Sequence, residues 1–250
     1  MDFVTYKNDV WGREVILGVS WDLLWVFIVS AFIFIAAHAV FKALQNRQRR
    51  PSSEGERIIR HEKIDRVFHW VMALSVFVLL ITGVFPIIGI EFAWLTIHWI
   101  AGLILTFVVL FHIVRSIFWQ DLKSMLISTK DLQELYDQSK KPGKYSLAQK
   151  GMHTVITILT LLVIGSGLVM FAMIDTPWWE RTNALSEASL GWVFLIHGLS
   201  TLFLIAFISL HIYFGLRPEK LFYTRSIIKG WISRGELEDH HNPEKWNQET

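Results

Sequence analysis

Residues 195–217 read LIHGLSTLFLIAFISLHIYFGLR, a run long and apolar enough to cross a bilayer that nevertheless holds two histidines, His197 and His211. A membrane-spanning helix needs about 20 consecutive apolar residues, and an ionisable side chain inside such a segment is costly. We therefore interpret the two imidazoles as functional groups, provided that other spans carry partners at matching depths.

The whole chain has the composition of a membrane protein. Of its 250 residues, 52% are hydrophobic and only 18% are charged, which is far from the soluble average. Apolar runs without charged residues occur at 23–41, 67–88, 92–114, 151–174 and 188–216, and each predicts a transmembrane helix. The chain has no cysteine, which excludes thiolate-held iron–sulfur clusters, disulfides and c-type haem attachment.

The placement of Lys and Arg predicts the orientation. The connections after the first and third apolar runs and the C-terminal tail are rich in basic residues, whereas the connection 175–189 leans acidic. The positive-inside rule then places the N-terminus outside and the C-terminus in the cytoplasm. Three parts are expected: an anchor helix with a basic link (1–50), a four-helix bundle (51–220) and a cytoplasmic amphipathic tail (221–250).

The histidines recur at one spacing. His98 and His112 lie fourteen positions apart in one span, as His197 and His211 do in the last. Fourteen residues rise roughly 21 Å through nearly four turns, so each pair lies on one helix face at two depths. Two copies of this pattern predict two stacked cofactors between the helices.

The two remaining bundle helices carry a histidine and a glycine at the same spacing, namely His69 with Gly83 and His153 with Gly167. Glycine lacks a Cβ and lets a bulky group approach the backbone. We expect His98 and His197 to be the ligands of the outer layer. The glycines expected to make room for a flat macrocycle there are Gly83, Gly167 and Gly102.

Paired neutral imidazoles without a carboxylate or thiolate at the same depth fit six-coordinate haem iron. Zinc or copper would recruit further protein ligands. Depth alone leaves the inner pair open, since either His69 or His112 lies opposite His211. A different class of protein also stays open: a membrane anchor or a proton or metal transporter whose histidines only bridge helices.

Several segments match a known family. RHEKIDRVFHW (60–70), LTIHWIAGLIL (95–105), PGKYSLAQK (142–150), SIIKGWISR (226–234) and HHNPEKW (240–246) resemble the cytochrome b (gamma) subunit of membrane-bound formate dehydrogenases. The similarity covers about residues 57–246. Related cytochrome b subunits occur in uptake hydrogenases and in thiosulfate and other molybdenum oxidoreductases.

The resemblance implies an all-α membrane protein with five transmembrane helices, in which a four-helix bundle holds two haem b groups and one N-terminal helix is extra. His98 and His197 would ligate the outer haem, and His69 and His211 the inner one. A quinone, either menaquinone or ubiquinone, would bind near Ser146, Ala148, Gln149 and His211. Ser146 and Ala148 depart from the Asn and Gly expected there, which leaves the quinone type open.

The function implied is electron transfer in the bacterial inner membrane rather than substrate oxidation. The chain would link a periplasmic iron–sulfur subunit, and a catalytic molybdenum, tungsten or hydrogenase subunit, to the quinone pool near the cytoplasmic face. The alternative is a cytochrome b subunit of a hydrogenase or of a thiosulfate or other molybdenum reductase, working as a quinol oxidase.

Other polar residues stand outside the family pattern. His112 and His153 occupy positions where apolar residues are expected, and they predict hydrogen bonds to propionates, quinone or backbone, or a third haem or a proton relay. Arg66 and Arg115 are expected to neutralise haem propionates or to snorkel. His240 and His241 are expected to be solvated.

Overall fold

The computed structural model describes residues 2–45, 52–120, 122–129, 131–132 and 141–248. Five long helices dominate these residues: α1 (Leu23–Leu44), α2 (Lys63–Val84), α3 (Trp94–Phe118), α4 (Leu147–Ala172) and α5 (Glu187–Leu216). All five are long and apolar enough to cross a membrane. The predicted class, an all-α membrane protein with five spans, is confirmed. Some helices extend past the predicted runs, as α1 and α3 do at their C-terminal ends, whereas α2 ends at Val84, shortly before Pro86 and short of the predicted end at 88.

Short elements occupy the connections. An N-terminal hairpin pairs β1 (Val4–Asn8) with β2 (Glu14–Val19), and β3 (Arg57–Ile59) pairs with β4 (Trp231–Ser233), both antiparallel. Single 3-10 turns lie at Leu122–Ser124 and Pro218–Lys220. The tail forms α6 (Leu221–Lys229), α7 (Arg234–His240) and α8 (Pro243–Gln248). The predicted amphipathic tail is interrupted at Gly230, whose φ of 93° ends α6.

The chain divides into two compact units. The first unit contains Met1–Phe34, Leu74–Thr106 and Ile156–Ser209, and the second contains Ile35–Ala73, Phe107–Val155 and Leu210–Thr250. Each long helix contributes residues to both units. The units are therefore assembled from separate segments of the chain, and the expected division into the parts 1–50, 51–220 and 221–250 stays a prediction.

The core of the first unit joins the N-terminal hairpin and the start of α1 to α5. Its buried members are Val19, Leu23, Leu24, Leu195 and Leu202. Two glycines of α5 allow this packing, because a Cβ at Gly191 would overlap the carbonyl oxygen of Ile16, and one at Gly198 would overlap the side chain of Val19. The hairpin thus lies directly on the backbone of α5.

The second unit packs β3, β4 and the tail helices around Phe222, Ile232, Leu237 and Trp246. Ser233 and Glu236 form a reciprocal capping box that starts α7. The same unit holds His38 of α1, whose Nδ1 lies 2.8 Å from the hydroxyl of Tyr213 on α5. This hydrogen bond joins the extra N-terminal helix to the last span.

Candidate functional site

His98 of α3 and His197 of α5 form the best-defined histidine pair, in the first unit. Their ring centres lie 6.4 Å apart and their planes cross at 62°. Two metal–nitrogen bonds of about 2 Å, plus roughly 1.1 Å from each nitrogen to its ring centre, sum to about 6.2 Å. The observed separation therefore matches two imidazoles bound to opposite sides of one metal ion.

A hydroxyl group on α2 determines the tautomer of His98. Thr82 Oγ1 lies 2.8 Å from the carbonyl oxygen of Val78 and 2.8 Å from His98 Nδ1. A hydroxyl has one proton, and the carbonyl can only accept. His98 Nδ1–H therefore donates to Thr82 Oγ1, which leaves Nε2 unprotonated and able to bind a metal.

A hydroxyl group on α4 does the same for His197. Ser166 Oγ lies 2.6 Å from the carbonyl oxygen of Leu162 and 2.9 Å from His197 Nδ1. His197 is thus held as the same tautomer, with its Nε2 available. Sequence reasoning missed both hydroxyls, although each directly precedes a predicted glycine, Gly83 or Gly167.

The predicted glycines lie against the histidine rings. A Cβ at Gly83 would come 3.7 Å from His98 Cε1, and one at Gly167 would come 3.4 Å from His197 Cε1. A Cβ at Gly102 would instead contact Leu79 at 3.9 Å. Gly83 and Gly167 thus allow α2 and α4 to approach the imidazoles of His98 and His197, while ligation and the accommodation of a macrocycle stay predictions.

The second unit contains the other four intramembrane histidines of the bundle helices. His112 and His153 have ring centres 6.3 Å apart with planes at 77°. His69 and His211 are close enough to interact electrostatically. Among the described residues, no group of three or more His, Asp or Glu side chains converges as a metal site. His98 with His197 and His112 with His153 thus occur as pairs, an arrangement that suits haem iron held by two imidazoles.

Ser146 and Gln149 start α4. The Ser146 backbone N–H donates to Gln149 Oε1 at 2.9 Å, and the Gln149 backbone N–H donates to Ser146 Oγ at 3.4 Å. This reciprocal arrangement is a capping box. The amide nitrogen of Gln149 and the hydroxyl proton of Ser146 have no acceptor among the residues that the structure describes, so both can serve a ligand, and Ala148 between them is exposed.

The two arginines expected near propionates differ in their surroundings. Arg115 Nε donates to Asp65 at 2.7 Å and its Nη2 donates to Glu62 at 2.5 Å. Arg66 donates through Nη1 to the carbonyl oxygen of Ile228 at 2.6 Å. Its buried Nε has no hydrogen-bond partner within the part of the chain that the structure describes. Arg66 therefore keeps a donor for a bound anionic group.

The expectation that His241 is solvated is wrong, because this side chain is fully buried. His241 Nε2 lies 2.9 Å from the Tyr223 hydroxyl, and its Nδ1 lies 2.6 Å from the carbonyl oxygen of Gly143. Buried Arg60 contacts His241 Nε2 at 3.3 Å and donates to the carbonyl oxygen of Lys144 at 2.9 Å. We call Arg60, Tyr223 and His241 the tail clasp; it holds the loop that leads into Ser146.

Electrostatics in the tail clasp follow from this burial. Burial and the nearby Arg60 charge lower the pKa of His241 to about 3. Burial also raises the pKa of Tyr223 to about 12. The Arg60 guanidinium lies 4.7 Å from the ring centre of Tyr223 and 5.1 Å from that of Trp246. Aromatic faces thus stabilise the buried cation, and His241 stays neutral beside it.

Comparison with known proteins agrees with this geometry. A profile of the prokaryotic cytochrome b561 family matches residues 60–229. The chain is also 25% identical over 220 residues to the formate dehydrogenase cytochrome b556 subunit of Haemophilus influenzae, an alignment that covers 79% of this chain and 85% of the relative. The matched region contains every histidine pair described above. The chain belongs to the prokaryotic cytochrome b561 family and is a multi-pass membrane protein that binds haem b and functions in electron transfer.

Proposed function

We propose that the chain is the di-haem cytochrome b subunit of a formate dehydrogenase-like complex, which carries electrons between a periplasmic iron–sulfur subunit and the quinone pool. The observation that carries this proposal is the His98–His197 pair, whose ring centres lie 6.4 Å apart with both Nε2 atoms available. The similarity to a formate dehydrogenase cytochrome b556 subunit supports the choice of complex.

His98 and His197 would hold one haem, and His69 and His211 the other. Bound haem b would supply a one-electron redox centre, and ligation by two imidazoles would favour electron transfer over oxygen chemistry. The chain's own contribution is orientation, because the hydroxyls of Thr82 and Ser166 fix the ligand tautomers. Arg66, with its unpaired buried Nε among the described residues, is the residue that would neutralise a propionate.

Quinone would bind beside the second unit, near the cytoplasmic face, where the basic connections lie. Ser146, Ala148, Gln149 and His211 are the residues that the family resemblance assigns to this site. The tail clasp supports the assignment, since it holds the carbonyl groups of Gly143 and Lys144 just before Ser146. Electrons moving inward would work against the membrane potential, which stores about 2.3 kcal/mol per charge per 100 mV.

The haem b to protein ratio, measured by a pyridine haemochrome assay with a reduced-minus-oxidised spectrum, tests the proposal. We expect two haems per chain, one of them lost in His98→Ala and in His197→Ala. His38→Ala is the matched control, because His38 is an intramembrane histidine of α1, outside the four bundle helices, whose Nδ1 lies 2.8 Å from the Tyr213 hydroxyl. A folded, colourless wild-type protein would refute electron transfer through haem and would favour the anchor or transporter alternative.

The partner is tested separately. A tagged chain purified in mild detergent should retain an iron–sulfur subunit and a molybdenum or tungsten catalytic subunit. Retention of a hydrogenase or a thiosulfate-type reductase would instead identify the alternative complexes.

A further inference from the structure

The His112–His153 pair in the second unit has no role in the ligand assignment above. Its ring-centre separation of 6.3 Å fits a metal ion on the line between two imidazoles. It fits a single oxygen atom equally well. Each imidazole nitrogen would lie about 2.8 Å from that oxygen and roughly 1.1 Å from its own ring centre. The two ring centres are then 6.3 Å apart when the angle at the oxygen is close to tetrahedral. The surroundings of the pair decide between these occupants.

Those surroundings differ from the surroundings of the His98–His197 pair. His98 and His197 are each anchored by a hydroxyl within 3 Å and lie against a helical glycine. His112 instead lies 3.5 Å from Ser116 Oγ, a weak contact, and the ring of Phe68 covers it at 4.8 Å between ring centres. Among the described residues, the second pair therefore has neither the short anchoring bond nor the adjacent glycine that distinguish the first pair as the candidate metal site.

A connected set of polar side chains leads from His112 to the surface. Ser116 Oγ donates to Gln120 Oε1 at 3.2 Å, and Gln120 Nε2 donates to Asp65 Oδ1 at 2.8 Å. Arg115 joins Asp65 to Glu62, whose side chain is 69% exposed. Asp65 also interacts electrostatically with His112. An acidic, surface-connected group thus lies behind one imidazole of the pair, as a proton supply requires.

The other imidazole shares a helix face with the predicted quinone residues. His153 follows Gln149 by four residues on α4, and side chains four apart on a helix are neighbours. The Gln149 oxygen caps α4, and its amide nitrogen has no acceptor within the described ranges, so it can donate to a ligand. A quinone headgroup that contacts Gln149 would therefore lie within reach of His153.

We propose that His112 and His153 together bind one oxygen of the quinone headgroup and donate the proton that it takes up, with Asp65 restoring the proton on His112. This inference rests on the proposed function and deepens it. Reduction of the quinone takes two electrons, delivered from the iron–sulfur partner, and two protons. At the bound oxygen an imidazole N–H bond breaks as the O–H bond forms, and the ring takes up a proton at its other nitrogen, supplied from solvent by way of Asp65. The other quinone oxygen takes its proton from solvent. Ser116 and Gln120 act as positioning residues.

The test uses the intact complex with His112→Phe, His153→Phe, His153→Gln and Asp65→Asn, and with His38→Phe as control. Three quantities are measured: haem per chain, binding of the fluorescent quinol analogue heptyl-hydroxyquinoline N-oxide, and the stopped-flow rate at which a short-chain naphthoquinone reoxidises the dithionite-reduced haem. A positioned proton donor contributes roughly 10²–10⁴-fold to a rate.

We expect the two Phe variants to keep the wild-type haem content, to bind the analogue at least about tenfold more weakly and to reoxidise about 100-fold more slowly. His153→Gln keeps an N–H donor, so it should bind the analogue yet still reoxidise slowly. Asp65→Asn should bind normally, and added imidazole should restore its rate.

Two results would overturn the inference. Loss of one haem per chain from either Phe variant would identify the pair as haem ligands. Haem content, analogue binding and reoxidation all equal to those of the His38→Phe control would show that the pair takes no part in quinone chemistry. A wild-type complex without haem would refute the proposed function itself, and this inference with it.

Discussion

Replacing Thr82 by Val removes one hydroxyl from the candidate haem site and preserves the shape of the side chain. In the structure Thr82 Oγ1 accepts the Nδ1–H of His98 at 2.8 Å. In Thr82→Val this N–H is left without an acceptor in an apolar environment. The tautomer of His98 that carries its proton on Nε2 then becomes more favourable in free energy, although Nε2 must be unprotonated to bind iron.

The size of the effect follows from that one bond. A buried donor left unsatisfied costs about 1–3 kcal/mol, and 1.4 kcal/mol corresponds to a factor of about ten in affinity. Removal of an outer hydrogen-bond partner from a metal-ligating histidine typically costs 10–100-fold in metal affinity. We therefore expect Thr82→Val to bind its haem roughly 10–100-fold more weakly than the wild type, with Ser166→Ala behaving similarly.

The chain supplies matched controls. Thr106 Oγ1 donates to the Gly102 carbonyl at 2.8 Å, and Ser209 Oγ donates to the Ile205 carbonyl at 2.7 Å. These are the same bonds within a helix that Thr82 and Ser166 make, but among the contacts of the described residues neither hydroxyl is bonded to a histidine. Haem transfer from each purified variant to excess apomyoglobin measures retention. If Thr82→Val released haem no faster than Thr106→Val, the hydroxyl would not hold the ligand tautomer, and the reasoning would be refuted.

Three further predictions use other contacts. Gly167→Ala places a Cβ 3.4 Å from His197 Cε1 and should speed haem loss. Gly165→Ala is its control, because a Cβ there meets open space on the same helix and should not change haem loss. The same apomyoglobin assay compares the two variants. In Gly191→Ala the new Cβ would overlap the Ile16 carbonyl, which should lower the free energy of unfolding by about 1–3 kcal/mol. Limited proteolysis should then cleave residues 1–22 faster than in Gly165→Ala. Because the pKa of His241 is about 3 in the folded state, the unfolded chain binds more protons between about pH 3 and 6.5, so stability should fall as pH drops, by about 2 kcal/mol from pH 7 to pH 5. Thermal unfolding should show that the wild type loses stability between pH 7 and pH 5 and that His241→Asn loses less. An equal loss in the two proteins would contradict the prediction.

Hydropathy and spacing predicted the five spans and the histidines because both depend on local periodicity. Each apolar run lies on a long helix, since a bilayer demands a span whose backbone hydrogen bonds are satisfied within the segment. The fourteen-residue spacing likewise selected His98 and His197 as partners, and their ring centres are 6.4 Å apart. A helical period converts sequence distance into depth and face without knowledge of the tertiary fold.

The residues that sequence reasoning missed act through contacts between segments that are remote along the chain. Thr82 and Ser166 read as ordinary hydroxyls inside apolar helices until α2 and α4 bring them to His98 and His197. His241 reads as a solvated tail residue, yet it is buried because the tail folds back onto Arg60, 181 positions earlier. Charge and hydropathy at one position cannot reveal such a partner.

The sequence by itself determined the membrane class, the spans, the cofactor type and which histidines face inward. Tertiary structure alone decided which tautomer His98 and His197 hold, and that His112 meets His153 beside an acidic side-chain network. The reason is physical: burial of apolar surface depends on the sum over a segment and tolerates exchange of residues, whereas a hydrogen bond or a ligand pair requires two particular atoms within about 3 Å.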